Sequence, residues 1–425
     1  MMSFSPARCP ISLLSAALLW TGCSAGSTGK TTEQRTEVRF AERPDGPLQE
    51  ADLGDMEEPD PFIFEQSVLH TIALEIPADS VAALGSEPYE YVVANATIDG
   101  IELPDVGLRL RGKIGSFRTL SGKPKLKLDF NEFVDGRRME GLESLSLNNS
   151  VVDCSFLKET LGYAVFAAIG APAARTSYAQ VTINDENYGL YVVVETQDDR
   201  FVKERWDDPD GNLYDGKYVW YGGSNYILLD FAEDHDTLYQ LEEGTDVGHA
   251  DISSLSEALA ETGGAPNYYE TMGEVLDWDN AHRVWAGEQW VGQNDGYCLN
   301  KNNYRVYFDP EDGLADFIPW DLDYSMLRDA DWGRDWEAPS GNIARACFAD
   351  ETCWNAHRLV VADTLDVIET LDLEEQMDAH LALVEDLMYS DPKAECSASD
   401  LPGWHSYVQR WITQRSSNLE SRWDL

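Results

Sequence analysis

Apolar and polar residues alternate with a period near two over much of residues 68–130. That period sends successive side chains to opposite faces of an extended strand. Residues 68–76 and 89–98 read as strands, and the second ends in the turn pair Asp99-Gly100. Residues 106–111 and 125–130 follow as two more. The period then changes. Leu157, Leu161, Val165 and Ala168 share one helical face over residues 155–169, with Asp153 or Ser155 as the cap and Gly170 and Pro172 as the stop. Residues 178–183 and 188–194 predict a hairpin around Asn184-Asp185-Glu186-Asn187. Residues 197–290 are mixed and more helical, with 278–290 the clearest helix. Residues 304–308 and 314–319 predict a β pair joined by 309–313, and the chain from Trp354 onward is mostly helical. A β-rich first part and a helix-rich second part with a β insert indicate an α+β fold of two lobes.

The N-terminus carries a different pattern. Arg8 precedes an apolar run at residues 11–20, too short to cross a bilayer as a helix. Leu19-Trp20-Thr21-Gly22-Cys23 then resembles a bacterial lipobox, with Trp20 an unusual member. This predicts a signal peptide over 1–22 and a lipid anchor on Cys23, with a plain secretory signal as the alternative. Residues 24–66 are rich in Ser, Gly, Thr, Glu, Asp and Pro without apolar period, and read as a flexible tether. Ser24 to Thr31 nearly matches a phosphate loop, but Ser24 replaces its first glycine and no strand precedes it. No further run is apolar enough for a membrane helix. Export permits disulfides. Beyond Cys9 and Cys23, five cysteines remain, so at least one thiol stays free; Cys347 and Cys353 are placed to close a small loop. No CxxC pair or zinc-type spacing occurs, and the seven histidines show no ligand spacing.

Charge changes the picture most. With 31 basic and 77 acidic residues, the formal net charge is −46, which argues against a nucleic-acid partner. Yet Arg109, Arg111, Lys113, Arg118, Lys123, Lys125 and Lys127 fall within 19 positions that hold no acid. Lys123, Lys125 and Lys127 share parity, so a strand presents all three on one face. With Gly112, Gly115 and Gly122 they suit a polyanion such as phosphate; the competing reading is a solvated edge strand. A second constellation joins Asn294-Asp295-Gly296-Tyr297, Asn300, Asn302 and Asn303 to Pro319-Trp320-Asp321-Leu322-Asp323. Its oxygens suit a hard cation such as Mg²⁺, and the β pair between returns Asp321 towards the asparagines. Plain turn chemistry is the alternative for the asparagine stretch. A cation site beside a polyanion site suggests metal–nucleotide chemistry.

These segments, in order, resemble the CotH (spore coat protein H) kinase family from about Leu69 to Met326. The similarity rests on Ala94-Asn-Ala-Thr-Ile-Asp-Gly100, Val106-Gly-Leu-Arg-Leu-Arg-Gly112, Lys123-Pro-Lys-Leu-Lys-Leu-Asp-Phe130, Leu157-Lys-Glu-Thr-Leu-Gly-Tyr163 and Gly170-Ala-Pro-Ala-Ala-Arg-Thr-Ser-Tyr178. It continues through Tyr188-Gly-Leu-Tyr-Val-Val-Val-Glu195, Gly211-Asn-Leu-Tyr214, Asn294-Asp-Gly-Tyr297, Asn303-Tyr304 and Pro319-Trp-Asp-Leu-Asp323. Asp215 stands where the family usually carries a lysine. The resemblance implies an atypical, two-lobed protein-kinase-like domain over 67–425, with an N-lobe of about 67–196 and a C-lobe of about 197–425. It implies transfer of the γ-phosphate of ATP to Ser/Thr hydroxyls of an unidentified protein, with Mg²⁺ or Mn²⁺. By motif, Asp295 is the catalytic acid–base, and Asn303, Asp321 and Asp323 are the metal set, with Asn300 the alternative asparagine. Lys127 is the phosphate-contacting lysine, supported by Lys123 and Arg111, and Glu195 pairs with that lysine or reaches the metal. The implied location is the cell envelope of a bacterium. Two other readings compete: a surface binding or adhesion protein on a catalytically weak kinase-like scaffold, and a glycan-processing enzyme using paired carboxylates.

Overall fold

The computed structural model describes residues 60–425 apart from 217–218, 222–224, 228–229, 232–237, 263–266 and 329–334. The expected signal peptide, Cys23 and the tether up to residue 59 lie outside the described residues. The tether expected through residue 66 ends sooner, because Ile63 and Phe64 are buried in a short 3₁₀ turn at Phe62–Phe64.

The first half builds a closed seven-stranded barrel. Its strands are β1 (His70–Glu75), β2 (Val92–Ile98), β3 (Ile101–Arg111), β4 (Lys125–Asp129), β5 (Ser144–Asn148), β6 (Thr176–Ile183) and β7 (Glu186–Glu195). They run in the order β1-β2-β3-β4-β5-β7-β6, and a parallel β1–β6 pairing closes the ring. Helix α1 (Ala78–Ser86) lies between β1 and β2, and α2 (Lys158–Ala168) between β5 and β6. Two hairpin turns follow from residue chemistry. Asp99 and Gly100 sit at φ 47° and 83°, and Asn184 and Asp185 at 49° and 64°. Positive φ at both central positions gives the turn whose twist matches paired strands. Alternate residues fill the barrel, among them Leu74, Ala96, Leu108, Leu110, Leu126, Leu128, Leu145, Leu147, Val181 and Val193. The intervening residues of β3 and β4 therefore face outward.

The second half begins with α3 (Asp199–Lys203) and holds more strand than its pattern predicted. β8 (Asn212–Gly216) and β11 (Tyr239–Glu243) join β12 (Tyr304–Phe308) and β13 (Ala315–Pro319) in a sheet ordered β11-β8-β12-β13. β9 (Val219–Tyr221) and β10 (Asn225–Ile227) form a separate hairpin. The helices are α4 (Ala250–Thr262), α5 (Tyr268–Met272), α6 (Trp278–Val291), α7 (Asn342–Ala349), α8 (Glu351–Glu369), α9 (Leu373–Ser390) and α10 (Leu401–Trp423). Trp285, Trp290, Tyr297, Tyr304, Phe317 and Trp336 are fully buried among them. Much of the tryptophan is thus core. No helix among the described residues is long and apolar enough to cross a membrane.

The segment between α9 and α10 returns to the barrel and fastens it. Asp391 accepts from Lys123 Nζ at 2.5 Å and from the Leu190 amide at 3.1 Å. Lys393 pairs with Glu186, Glu395 pairs with Arg118, and Cys396 is disulfide-bonded to Cys154 just ahead of α2. Gly189, at φ 84°, makes the approach possible: a Cβ there would lie 2.1 Å from the Asp391 carboxylate. The Lys123 and Asp391 side chains are 1% and 0% exposed, so neither charge reaches water. Removing one partner strands the other. Asp391→Ala is expected to cost about 3–5 kcal/mol in urea unfolding of the oxidised protein. Adding Lys123→Met should recover most of that loss; an unchanged midpoint in the single variant would contradict this account.

Candidate active site

The register of β3 against β4 sets Arg109 opposite Lys127 and Arg111 opposite Lys125. Like charges directly across a ladder repel. The wall therefore demands acids or an anion. Lys125 finds acids. Its ammonium lies 2.8 Å from Asp321 Oδ1 and 2.7 Å from Asp323 Oδ2, on the segment after β13. These acids raise the Lys125 pKa against the opposing effect of burial. Lys127 has no acid within ion-pairing distance among the described residues. Burial and the neighbouring Arg109, Arg305 and Arg111 lower its pKa to about 8. Arg109 stands over the Tyr91 ring, and Arg111 over the Trp320 ring at 5.1 Å.

Glu159 on α2 completes the cluster. It accepts from Asn148 Nδ2 at 2.6 Å and interacts electrostatically with Lys125, Asp321 and Asp323. Asp153 positions the helix start, accepting from the Lys158 amide at 3.0 Å. Burial drives the Glu159 pKa well up, and Asp323 is pushed up to about 7 by burial and then by Asp321. Asp321 stays below the ordinary carboxylate range because Lys125 and Arg111 outweigh its burial. Two buried carboxylates, Glu159 and Asp323, and the partly exposed Asp321 thus share two cations, Lys125 and Arg111. That excess of oxygen-borne negative charge fits a divalent cation.

The Asp321 backbone is itself held in an unusual state. Its φ is 47°, in the left-handed region that costs a non-glycine residue free energy. Gln293 Nε2 and Asn303 Nδ2 donate to its carbonyl at 2.9 and 3.0 Å. Gln197 Nε2 donates to Pro319 O at 2.8 Å. Above the segment, the turn after β3 packs so closely that a Cβ on Gly115 (φ 87°) would lie 2.2 Å from the Tyr324 hydroxyl.

Asp295 enters on the loop after α6. Asp277 caps that helix by accepting from the amides of Asp279 and Asn280, and Gly292 ends it at φ 63°. The fully buried Glu288 then shapes the loop, accepting from the amides of Tyr297 at 2.8 Å and Cys298 at 3.1 Å. Burial raises its pKa to about 7. Asn300, Asn302 and Asn303 all donate side-chain amides to the Asp295 carboxylate, the last two at 2.9 and 3.1 Å. Asn303 therefore bridges Asp295 and the Asp321 carbonyl.

Several expectations change here. Asp295, Asn303, Asp321 and Asp323 are brought together, and Asn300 joins them. The lysine among the acids is Lys125, with Lys127 one pair further along the wall. Lys123 leaves the group, because β4 begins after it and its ammonium is buried against Asp391. Arg111 stays beside Asp321. Glu195 contacts neither lysine: it is buried between Arg175 at 2.6 Å and Arg205 at 2.7 Å. Asp215 pairs with Arg305 at 2.8 Å. Glu159 and Glu288 were missed. Glu159 lies within the motif at 157–163, and the signal was an acid in the first turn of an otherwise apolar helix.

A family model described as CotH kinase protein matches residues 108–419, a span that holds the basic wall, α2, the asparagine loop and both acids. The chain belongs to this CotH family. A CotH relative, the inner spore coat protein H of Bacillus subtilis (strain 168), is 26% identical over 210 residues. That match covers 48% of this chain and 54% of the relative, so the chain spans about half the length of the curated relative it matches.

The coupling between the two acids is directly measurable. Asp321→Asn removes the like charge beside Asp323 and leaves Lys125 to serve it alone. Carboxyl-carbon NMR should then show the Asp323 pKa falling from about 7 towards the ordinary carboxylate range. A value unmoved by the substitution would mean that burial alone sets it.

Proposed function

We propose that the chain is a metal-dependent protein kinase that moves the γ-phosphate of ATP to a Ser/Thr hydroxyl, on an atypical, two-lobed kinase-like scaffold. The observation that carries this reading is Lys125, bound to Asp321 and Asp323 on a wall whose further cations are short of acids. Phosphoryl transfer needs little covalent help from a protein; it needs positioning and charge stabilisation. Arg109, Arg111 and Lys127 offer the phosphates a half-buried positive surface. Lys125 offers an ammonium held in place by Asp321, Asp323 and Glu159. Asp295 is the group that orients the acceptor hydroxyl and takes its proton, and the asparagine amides keep its carboxylate fixed. Asp321, Asp323 and Asn303 would hold Mg²⁺ or Mn²⁺, which when bound neutralises charge on the phosphate oxygens. The acceptor is a protein of unassigned identity.

An envelope or coat location fits the name of the Bacillus relative. With residues 1–23 it supports an exported chain, anchored in the membrane by lipid on Cys23 or else secreted.

The test is label transfer from γ-labelled ATP to generic basic acceptor proteins, with Mg²⁺ or Mn²⁺, by the chain without residues 1–22. Transfer should require metal. Asp295→Ala and Asp321→Ala should each lower it by about 100-fold or more. Lys125→Met should cost more than Lys127→Met, reversing the order expected from sequence. Absence of both transfer and any metal-dependent thermal shift by ATP would sink the proposal. ATP binding without transfer to any acceptor would favour the catalytically weak scaffold.

A further inference from the structure

A second cluster of ligand-type side chains lies inside the helical half, away from the acids. Cys347 near the end of α7, Cys353 in the first turn of α8 and His282 in mid α6 bring two sulfurs and an imidazole nitrogen within 4.8 Å of one another. Both cysteines are 0% exposed and His282 is 2% exposed. The sulfurs are joined as a disulfide. His282 is the anomaly. Neither of its ring nitrogens has a hydrogen-bond partner among the described residues. Buried polar groups are almost always satisfied, and an exception calls for a cause. Its neighbours do not supply one: Trp278 stacks on it at 5.1 Å and Trp285 meets it edge-on. His357, with its ring 5.3 Å away, uses Nε2 towards Gln289 while Nδ1 has no partner among the described residues.

We propose that Cys347, Cys353 and His282 form a Zn²⁺ site in the dithiol state of the chain. Two thiolates and an imidazole are a preferred donor set for zinc, and three helices supply three of the four positions of a tetrahedral centre. His357 Nδ1 or a water supplies the fourth position. Cys353 sits at a helix N-terminus, where the thiolate is favoured. The chemistry balances simply. A dithiol reductant gives two electrons and two protons to the Cys347–Cys353 bond and becomes a disulfide itself. Two thiols result, and metal binding then displaces their two protons. Thiols are kept reduced in the cytosol, where chains are made, and oxidised outside it. The same two sulfurs therefore staple α7 to α8 in either compartment, through zinc in one and through each other in the other.

The test uses the full chain, prepared once under a phosphine reductant and once oxidised, with Co²⁺ as the spectroscopic probe. The reduced chain should take up one equivalent of Co²⁺ with the visible and near-ultraviolet bands of a tetrahedral thiolate centre, and Zn²⁺ should displace it. The oxidised chain should show neither. The Cys347→Ser, Cys353→Ser double variant should lose the bands, which excludes a site built from Cys154, Cys298 or Cys396. His282→Ala should weaken Co²⁺ binding by more than about tenfold. Circular dichroism of the oxidised His282→Ala chain checks that it still folds, and His282→Gln gives a second variant of similar volume. His357→Ala assigns the fourth position, since retained binding leaves it to water. Bands that are absent from the reduced chain, that survive loss of both cysteines, or that ignore both His282 substitutions would overturn the proposal.

Discussion

Burying a charged lysine ammonium is costly unless acids surround it, and in this chain that requirement falls on Lys125. Its side chain is 1% exposed on the outer wall of a barrel that supplies no acid close enough to pair with it. The partners come from far along the chain, Asp321 being 196 residues further on and Asp323 beside it, and from α2 at Glu159. Where the β12–β13 hairpin sits against the barrel therefore follows from electrostatics as much as from apolar contact. An isolated buried charge costs far more than the hydrophobic gain of any single side chain. The left-handed backbone at Asp321, its carbonyl held by Gln293 and Asn303, accompanies the contact of that carboxylate with the lysine.

The two sides of this contact have opposite excesses. The barrel wall has more cations than acids, with Arg109 and Lys127 left over. The facing loop and α2 together have more acids than cations, with Asp323 and Glu159 driven towards protonation. Neither excess is relieved by closing the two sides on each other. A bound species carrying both signs, an anion with its metal, would relieve both, which is the ground on which metal–nucleotide chemistry is proposed. The net charge of −46 sharpens the contrast, because the basic wall is the exception within an acidic chain.

The halves are fastened at a second place by different means. The segment after α9 applies a buried ion pair, two further ion pairs and the Cys154–Cys396 disulfide to the barrel. Cys154 lies ahead of α2, so this bond also anchors the helix that carries Glu159. Inside the helical half, buried Glu288 folds the Asp295 loop, and a Cβ on Gly296 would lie 2.4 Å from its carboxylate. The asparagine loop is thus supported from below by one acid while presenting another.

Much of this was legible in residue order. Six of the seven barrel strands, both hairpin turns, α2 and α6 follow from periods of two and 3.6 and from Asp, Asn and Gly in the turns, all interactions between near neighbours. The Asp295 and Asp321 motifs were visible for the same reason, as local runs of ligand-type residues. β5 escaped notice although Ser144-Leu-Ser-Leu-Asn148 alternates polar and apolar residues, because the run is only five residues long and its small polar side chains, buried like the leucines, read as a turn-rich loop. Ring closure by the parallel β1–β6 pair, the assignment of Lys125 to the acids, and the diversion of Lys123 to Asp391 and of Glu195 to two arginines left no local trace. Parity places Lys123, Lys125 and Lys127 on one face but cannot rank them. The ranking depends on which acid each ammonium meets once water is excluded, and those acids arrive from more than 190 residues away. The two cysteines are near enough in sequence to pair, as expected, but His282 joins them only because three helices pack, and the spacing of the three along the chain resembles no metal motif.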